Sequence, residues 1–275
     1  MSVINAKCTT CGGSLAFNPK TQNIRCTKCN HEYYAEKNGN YPIHRMSEAK
    51  DILANSKSKT IVYVCENCGA RLYIAGNQYS GVCPYCKSTY IASSEELQGF
   101  KPDAIIPFAF DKKEAEERLK KYFKNQTFAK KDLINKIKDL KIEGNYIPCF
   151  SFNFKTITSY EGTLYRNLQT DEGTSREHFT VSGKINENIK KLYVETSNKL
   201  VDAQLRSILP YVTDYEVRYN EAFVYGYPIE QCSDSFNTAT QIAKNKVDQM
   251  VKDDIVAKHN ADGITSISIK TTYTE

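Results

Sequence analysis

C-T-T-C-G-G-S-L (8–15) and C-T-K-C-N (26–30) open the chain, and C-E-N-C-G-A-R-L (65–72) and C-P-Y-C-K (83–87) repeat the arrangement. Each set reads C-x2-C-x14-C-x2-C, and Cys65, Cys68, Cys83 and Cys86 lie 57 residues after Cys8, Cys11, Cys26 and Cys29. A thiolate pair with this short spacing grips one ion from a single tight turn. Two such turns brought together by a hairpin complete a tetrahedral four-sulfur site of the kind zinc takes. Eight of the ten cysteines fall in this pattern, so the sequence predicts two structural zinc ions. Iron in rubredoxin-like knuckles uses the same ligands and stays open as the alternative metal. Disulfides need an oxidising compartment, and residues 1–7 (M-S-V-I-N-A-K) are no signal peptide; a cytoplasmic protein is expected. Cys149 and Cys232 stand outside both sets and read as buried free thiols.

The flanking residues fit this reading. Gly12 and Gly69 follow the second cysteine of each set, where positive φ lets the turn close. Asn30, after Cys29, tolerates the same conformation. Leu15–Phe17 with Ile24–Cys26, and Leu72–Ile74 with Gly81–Cys83, read as strand pairs, with Tyr33-Tyr34 and Tyr90-Ile91 as third strands. A ribbon of about 30 residues is too small for a self-sufficient core. Structural zinc supplies an apparent ~10–16 kcal/mol in small sites, much of it as folding energy.

Along the chain, four parts are expected: zinc ribbon one (1–40), a helical linker (41–60), zinc ribbon two (61–95) and an α+β domain (104–275). The fold class expected is therefore α+β: two tandem small β zinc ribbons followed by a mixed α+β domain. Helices are predicted over 47–55, 111–123, 130–141, 199–209 and 234–259. Asp111 and Glu114 form a capping pair for the second of these. Strands are predicted over 146–160, 177–185, 191–195, 215–219, 222–227 and 264–273. Phe150, Phe152 and Phe154 alternate on the core side of a sheet.

Charge narrows the function. The formal net charge is +5, and eight thiolates with two divalent ions bring it to about +1. The lysine surplus concentrates at 111–141, where eleven Lys/Arg face six Asp/Glu. No apolar run approaches the ~20 residues of a membrane span. Catalysis has little to stand on. A four-sulfur zinc site is closed to substrate, and His31, His44, His178 and His259 accompany no nucleophile motif. Nucleic-acid binding would use Phe17, Arg25, Lys28, Tyr33 and Tyr34, but a near-neutral loaded protein grips phosphate poorly. Tyr73, Tyr79, Tyr85 and Tyr90 offer contact surface for a protein partner. The expectation is a non-catalytic zinc-binding adaptor for such a partner, with nucleic-acid binding in replication, repair or transcription as the alternative.

Three further segments bear on kinship: P-D-A-I-I-P-F-A-F (102–110), G-N-Y-I-P-C-F (144–150) and A-F-V-Y-G-Y-P-I-E (222–230). With the cysteine sets, they resemble a bacterial family described as containing a transcription-factor-IIB-type zinc ribbon, often labelled primosomal protein N′ or replication-restart helicase. Cys149-Phe150 stands where members often have an aromatic pair. Members often run on past this length, some into membrane helices. The resemblance implies zinc at the cysteines. It implies no motor, because a phosphate loop is lacking: Gly183-Lys184 is followed by Ile185 and lacks the motif's upstream glycine, with His178 in that place.

Overall fold

Gly162 and Gly183 both sit inside strands in the computed structural model of the protein, Gly183 within a predicted strand and Gly162 beyond the end of one. A Cβ on Gly162 would collide with the Ser266 carbonyl and come within 2.8 Å of Ile267 Cα, and one on Gly183 would meet the Tyr160 ring at 2.9 Å. Glycine here permits close approach of neighbouring strands and rings, not a bend. Strand candidates that looked separate therefore fuse into one long hairpin, β9 (Cys149–Thr170) and β10 (Gly173–Glu195).

The structure describes residues 7–46, 61–64, 71–74, 78–83, 88–91, 102–125, 142–171, 173–196, 213–230, 232 and 234–274. The expected helices 47–55, 130–141 and 199–209 fall outside them. Among the described residues, thirteen strands stand against two α-helices. This corrects the α+β expectation, with its tandem ribbons: the protein is mostly β, built on antiparallel sheets. A second correction concerns 222–227. That segment is not a strand but a 3-10 turn, Glu221–Val224, capped by the Asn220 side chain.

The remaining elements are short. They are β1 (Leu15–Asn18), β2 (Asn23–Cys26), β3 (Glu32–Tyr33), β4 (Ile61–Val64), β5 (Arg71–Ile74), β6 (Gln78–Val82), β7 (Thr89–Ile91) and β8 (Ala104–Ile105). Then come α1 (Lys112–Lys124), β11 (Val217–Arg218), β12 (Ile229–Glu230), α2 (Phe236–Lys258) and β13 (Gly263–Thr274). α1 begins as expected, with Asp111 Oδ1 accepting from the Glu114 amide at 2.9 Å. No described helix is long and apolar enough to cross a membrane.

The contacts divide the chain into two compact units. One contains 149–196 and 234–274. Its sheet runs β10–β9–β13, and α2 lies on one face. Phe150, Phe152 and Phe154 are buried there as expected, Phe150 and Phe152 against Phe236 of the helix, which also buries Ala239, Ala243, Val247, Val251 and Ile255. Arg166 closes the helix end, donating to the carbonyls of His259 and Asn260 at 2.7 and 2.8 Å.

The other unit holds the described parts of 7–44, 61–148 and 213–232. Its N-terminal sheet, β1–β2–β3, shares one core with residues far along the chain. Phe17, Leu15, Ile24 and Cys26 pack with Ile105, Ala222, Phe223, Val224 and Ile229. Residues 102–110, 144–148 and 222–230 of the segments quoted above belong to this unit. Phe108 stacks on Tyr227 at 4.5 Å and tilts on Tyr146 at 4.7 Å. The Tyr146 hydroxyl donates to the Phe223 carbonyl at 3.0 Å, and its amide to the Pro228 carbonyl at 2.9 Å. This knot is fastened to the sheet by the Phe17 amide on the Tyr225 carbonyl (2.8 Å) and by the Gln22 side chain on the Phe108 carbonyl (2.7 Å). β6 joins through β12, giving the order β12–β6–β7, and the Thr89 hydroxyl donates to the Leu15 carbonyl at 3.2 Å. The N-terminal sheet is thus built into a larger core, which explains how so small a sheet is held.

Candidate metal centre

The first knuckle precedes β1. The Gly12 amide donates to the Cys8 carbonyl and the Cys8 amide to the Gly13 carbonyl, each at 2.8 Å, and Gly12 takes φ +69°. The second knuckle repeats the plan after β2. The Asn30 amide donates to the Cys26 carbonyl at 3.1 Å, the Cys26 amide to the His31 carbonyl at 2.9 Å, and Asn30 takes φ 61°. Both positive φ values fall where the sequence placed them. Gly13 has a different task. A Cβ there would lie 3.0 Å from Cys26 Sγ and 2.8 Å from Lys28 Cβ, so only glycine lets the knuckles close together.

The result is a four-sulfur cluster. The sulfurs of Cys8, Cys11, Cys26 and Cys29 all lie within 4.8 Å of one another. Cys11 and Cys26 sulfurs are 3.5 Å apart, and those of Cys8 and Cys29 3.6 Å. Bonds of about 2.3 Å to a tetrahedral ion set sulfur–sulfur edges of roughly 3.8 Å, so the set fits a zinc-sized ion with little movement. The Lys28 and Cys29 amides point at Cys26 Sγ from 3.4 and 3.5 Å. Cys8 and Cys26 are buried, Cys11 is intermediate and Cys29 is exposed. No histidine or carboxylate joins the group among the described residues. The His31 ring packs instead on the edge of Tyr33, at 4.8 Å.

Electrostatics favour a cation here. The Tyr33 hydroxyl beside Cys8 brings that thiol down to about 5. The Cys29 and Lys28 amides hold Cys26 below the usual thiol range. The His31 amide draws Cys29 down, but the Cys11 sulfur, desolvation and the sulfurs of Cys26 and Cys8 together push it up to about 12. Four thiolates this close repel one another, so the full set ionises only with a bound dication to balance it.

The second set is described in part. Cys65, Cys68 and Cys86 lie outside the described residues, and Cys83 is buried. Its surroundings repeat the first set only in part: β5 pairs with β4, and β6 with β12 and β7, which corrects the expected pairing of 72–74 with 81–83, while three features recur at the same offset. The Cys83 amide donates to the Ser88 carbonyl at 2.8 Å, as Cys26 does to His31. Gly81↔Tyr90 and Val82↔Thr89 reproduce the register of Ile24↔Tyr33 and Arg25↔Glu32. Val64↔Arg71 reproduces Lys7↔Ser14.

One participant escaped the sequence reading, which placed Tyr33 only as a strand or base-contact residue. Its hydroxyl lies 3.1 Å from Cys8 Sγ and accepts from the Thr9 amide at 3.0 Å. The available signal was the recurrence of tyrosine at 33 and 90, at the cysteine offset.

No protein-family model matches the chain, and no solved structure matches it. Over 273 residues it is 25% identical to an uncharacterized protein, YdjG, of Bacillus subtilis (strain 168), a match covering 98% of this chain and 77% of that protein.

Proposed function

We propose that the protein is a non-catalytic cytoplasmic adaptor stiffened by two structural zinc ions. One is held by Cys8, Cys11, Cys26 and Cys29, the other by Cys65, Cys68, Cys83 and Cys86. Its task is to recognise a protein partner. The observation that carries this reading is the closed four-sulfur cluster: an ion with four thiolate ligands has no position for a substrate and serves to hold shape. The second ion rests on the repeated cysteine spacing and on the repeated register around Cys83. Kinship with the zinc-ribbon family is part of the proposal. Its characteristic segments support the N-terminal sheet from behind, a structural duty consistent with an absence of catalysis.

The surface favours a protein partner over nucleic acid. Tyr34 (79% exposed), next to β3, and Ile43 (77% exposed) are large apolar side chains left in solvent. Basic residues do gather around Lys20, Lys113, Arg118 and Lys121, but Glu114 and Glu117 line the same hollow. Lys20 pairs with Asp111 at 3.1 Å and Arg118 with Glu114 at 2.6 Å. Lysines answered by carboxylates release few phosphate counterions.

Two changes distinguish the readings. Tyr34→Ala with Ile43→Asp is expected to weaken capture of a nuclease-resistant partner about tenfold or more, as loss of an interface anchor does. Lys113→Gln with Lys121→Gln should leave that capture intact. Tight DNA binding with a steep salt slope, lost on the lysine changes, would establish the nucleic-acid alternative instead.

A further inference from the structure

We infer that Tyr33 is a positioning residue for the N-terminal metal centre, its hydroxyl donating to Cys8 Sγ and setting how firmly that sulfur holds the ion. This rests on the reading of Cys8, Cys11, Cys26 and Cys29 as a metal site.

The proton inventory carries it. The Tyr33 oxygen accepts from the Thr9 amide at 3.0 Å, so its own proton has two possible takers, Cys8 Sγ and Thr9 Oγ1, each at 3.1 Å. A metal-bound thiolate is charged and only accepts, whereas the Thr9 hydroxyl can turn its proton back onto the Tyr33 oxygen. The arrangement that satisfies every group sends the tyrosine proton to sulfur, as a charge-assisted bond. Among the described residues, Tyr33 is the only non-cysteine side chain hydrogen-bonded to a cluster sulfur. Cys26 draws on two backbone amides, which no side-chain change removes. Cys8 draws on the Cys11 and Thr10 amides as well, but its strongest partner is the Tyr33 side chain.

Position adds a second consequence. Tyr33 lies on β3, while Cys8 and Thr9 belong to the first knuckle. β3 is paired to β2 through Ile24↔Tyr33, and β2 ends at Cys26. The hydroxyl therefore ties the knuckle that supplies Cys8 to the strand pair that supplies Cys26. Four thiolates on a divalent ion leave a net charge of −2, and outer hydrogen bonds of this kind spread it. Their loss typically weakens metal affinity about 10–100-fold.

Tyr33→Phe keeps the ring and removes only the hydroxyl. The test uses full-length protein loaded with cobalt(II). Sulfur-to-cobalt charge-transfer absorption reports the electron density on the thiolates, which a merely structural role would not move. The informative part of the band is the fraction that Cys26→Ser protein lacks. In Tyr33→Phe this fraction is expected to move to lower energy, and metal transfer to a chromogenic chelator to quicken about tenfold. Thr9→Val, which retains the Tyr33–Cys8 bond, is expected to leave the band in place. Should Tyr33→Phe fail to fold, 3-fluorotyrosine placed at 33 alone, a stronger donor, is expected to shift the band to higher energy. A band unmoved in Tyr33→Phe, or unmoved by the fluorinated residue, overturns the inference while leaving the metal site standing. Wild-type protein that takes up no cobalt overturns the metal reading and this inference with it.

Discussion

Cys26→Ser is expected to unfold the N-terminal sheet and loosen the unit around it, while the β9–β10–β13 unit survives. Cys26 is fully buried, ends β2 and receives two amide hydrogen bonds on its sulfur. Serine breaks the four-sulfur set, and with it a binding energy that amounts to about 10–16 kcal/mol in small zinc peptides. The damage should not stop at 7–35. Phe17, Leu15 and Ile24 share their core with Ile105, Phe223, Val224 and Ile229, so these later residues lose their packing surface too. The unit formed by 149–196 and 234–274 contains no cluster ligand and keeps its own helix-on-sheet core. Amide exchange is the measurement: protection should fall across 15–26 and 222–229 and persist across 150–164. Unchanged protection in 222–229 would show that the shared core does not depend on the metal.

Phe223→Ala is the second large effect expected, and it approaches the same core from the other side. Phe223 is fully buried and meets Phe17 edge-on, with ring centroids 5.4 Å apart. Emptying such a site typically costs about 3–5 kcal/mol, part of it for the cavity left behind. For a unit of this size that is a drop in melting midpoint of roughly 6–20 °C. The backbone contact of the Phe17 amide with the Tyr225 carbonyl should weaken alongside, since the same turn presents both groups. Chelator stripping should accordingly become faster in the variant, because Phe223 shares its buried core with Cys8 and Cys26. A change below about 1 kcal/mol would mean the sheet is held mainly by its metal and not by the knot behind it.

The cysteine cluster was the most legible part of the chain, because a C-x2-C turn dictates its geometry locally. Gly12 and Asn30 took the positive φ that their positions require. The alternation of Phe150, Phe152 and Phe154 was also readable, as was the stripe Phe236, Ala239, Ala243, Val247 and Ile255 on α2, since one-sided burial leaves a period in the sequence; Met250, read into the same stripe, is exposed, and Val251 takes the inward place. The fold class was not. Gly162 and Gly183 punctuate the long hairpin, and nothing local distinguishes a glycine that turns from one that admits a neighbour. Ala222–Val224 are apolar and look like a strand, but the Asn220 side chain accepts from the Ala222 amide and starts a tight turn. Nor can spacing reveal that residues around 105, 146 and 223 return to pack behind a sheet formed at 15–33; those contacts are long-range. Tyr33 was missed for a related reason, since its role depends on a bond to a residue 25 positions earlier.

The most direct measurement is the metal content of purified full-length protein, taken by elemental analysis together with the absorption spectrum. Two zinc ions per chain are expected, with Cys26→Ser and Cys83→Ser each releasing one. A single zinc lost only in Cys26→Ser would remove the second centre, an iron spectrum would change the metal, and protein that carries no metal and binds none when supplied with zinc would contradict the central claim.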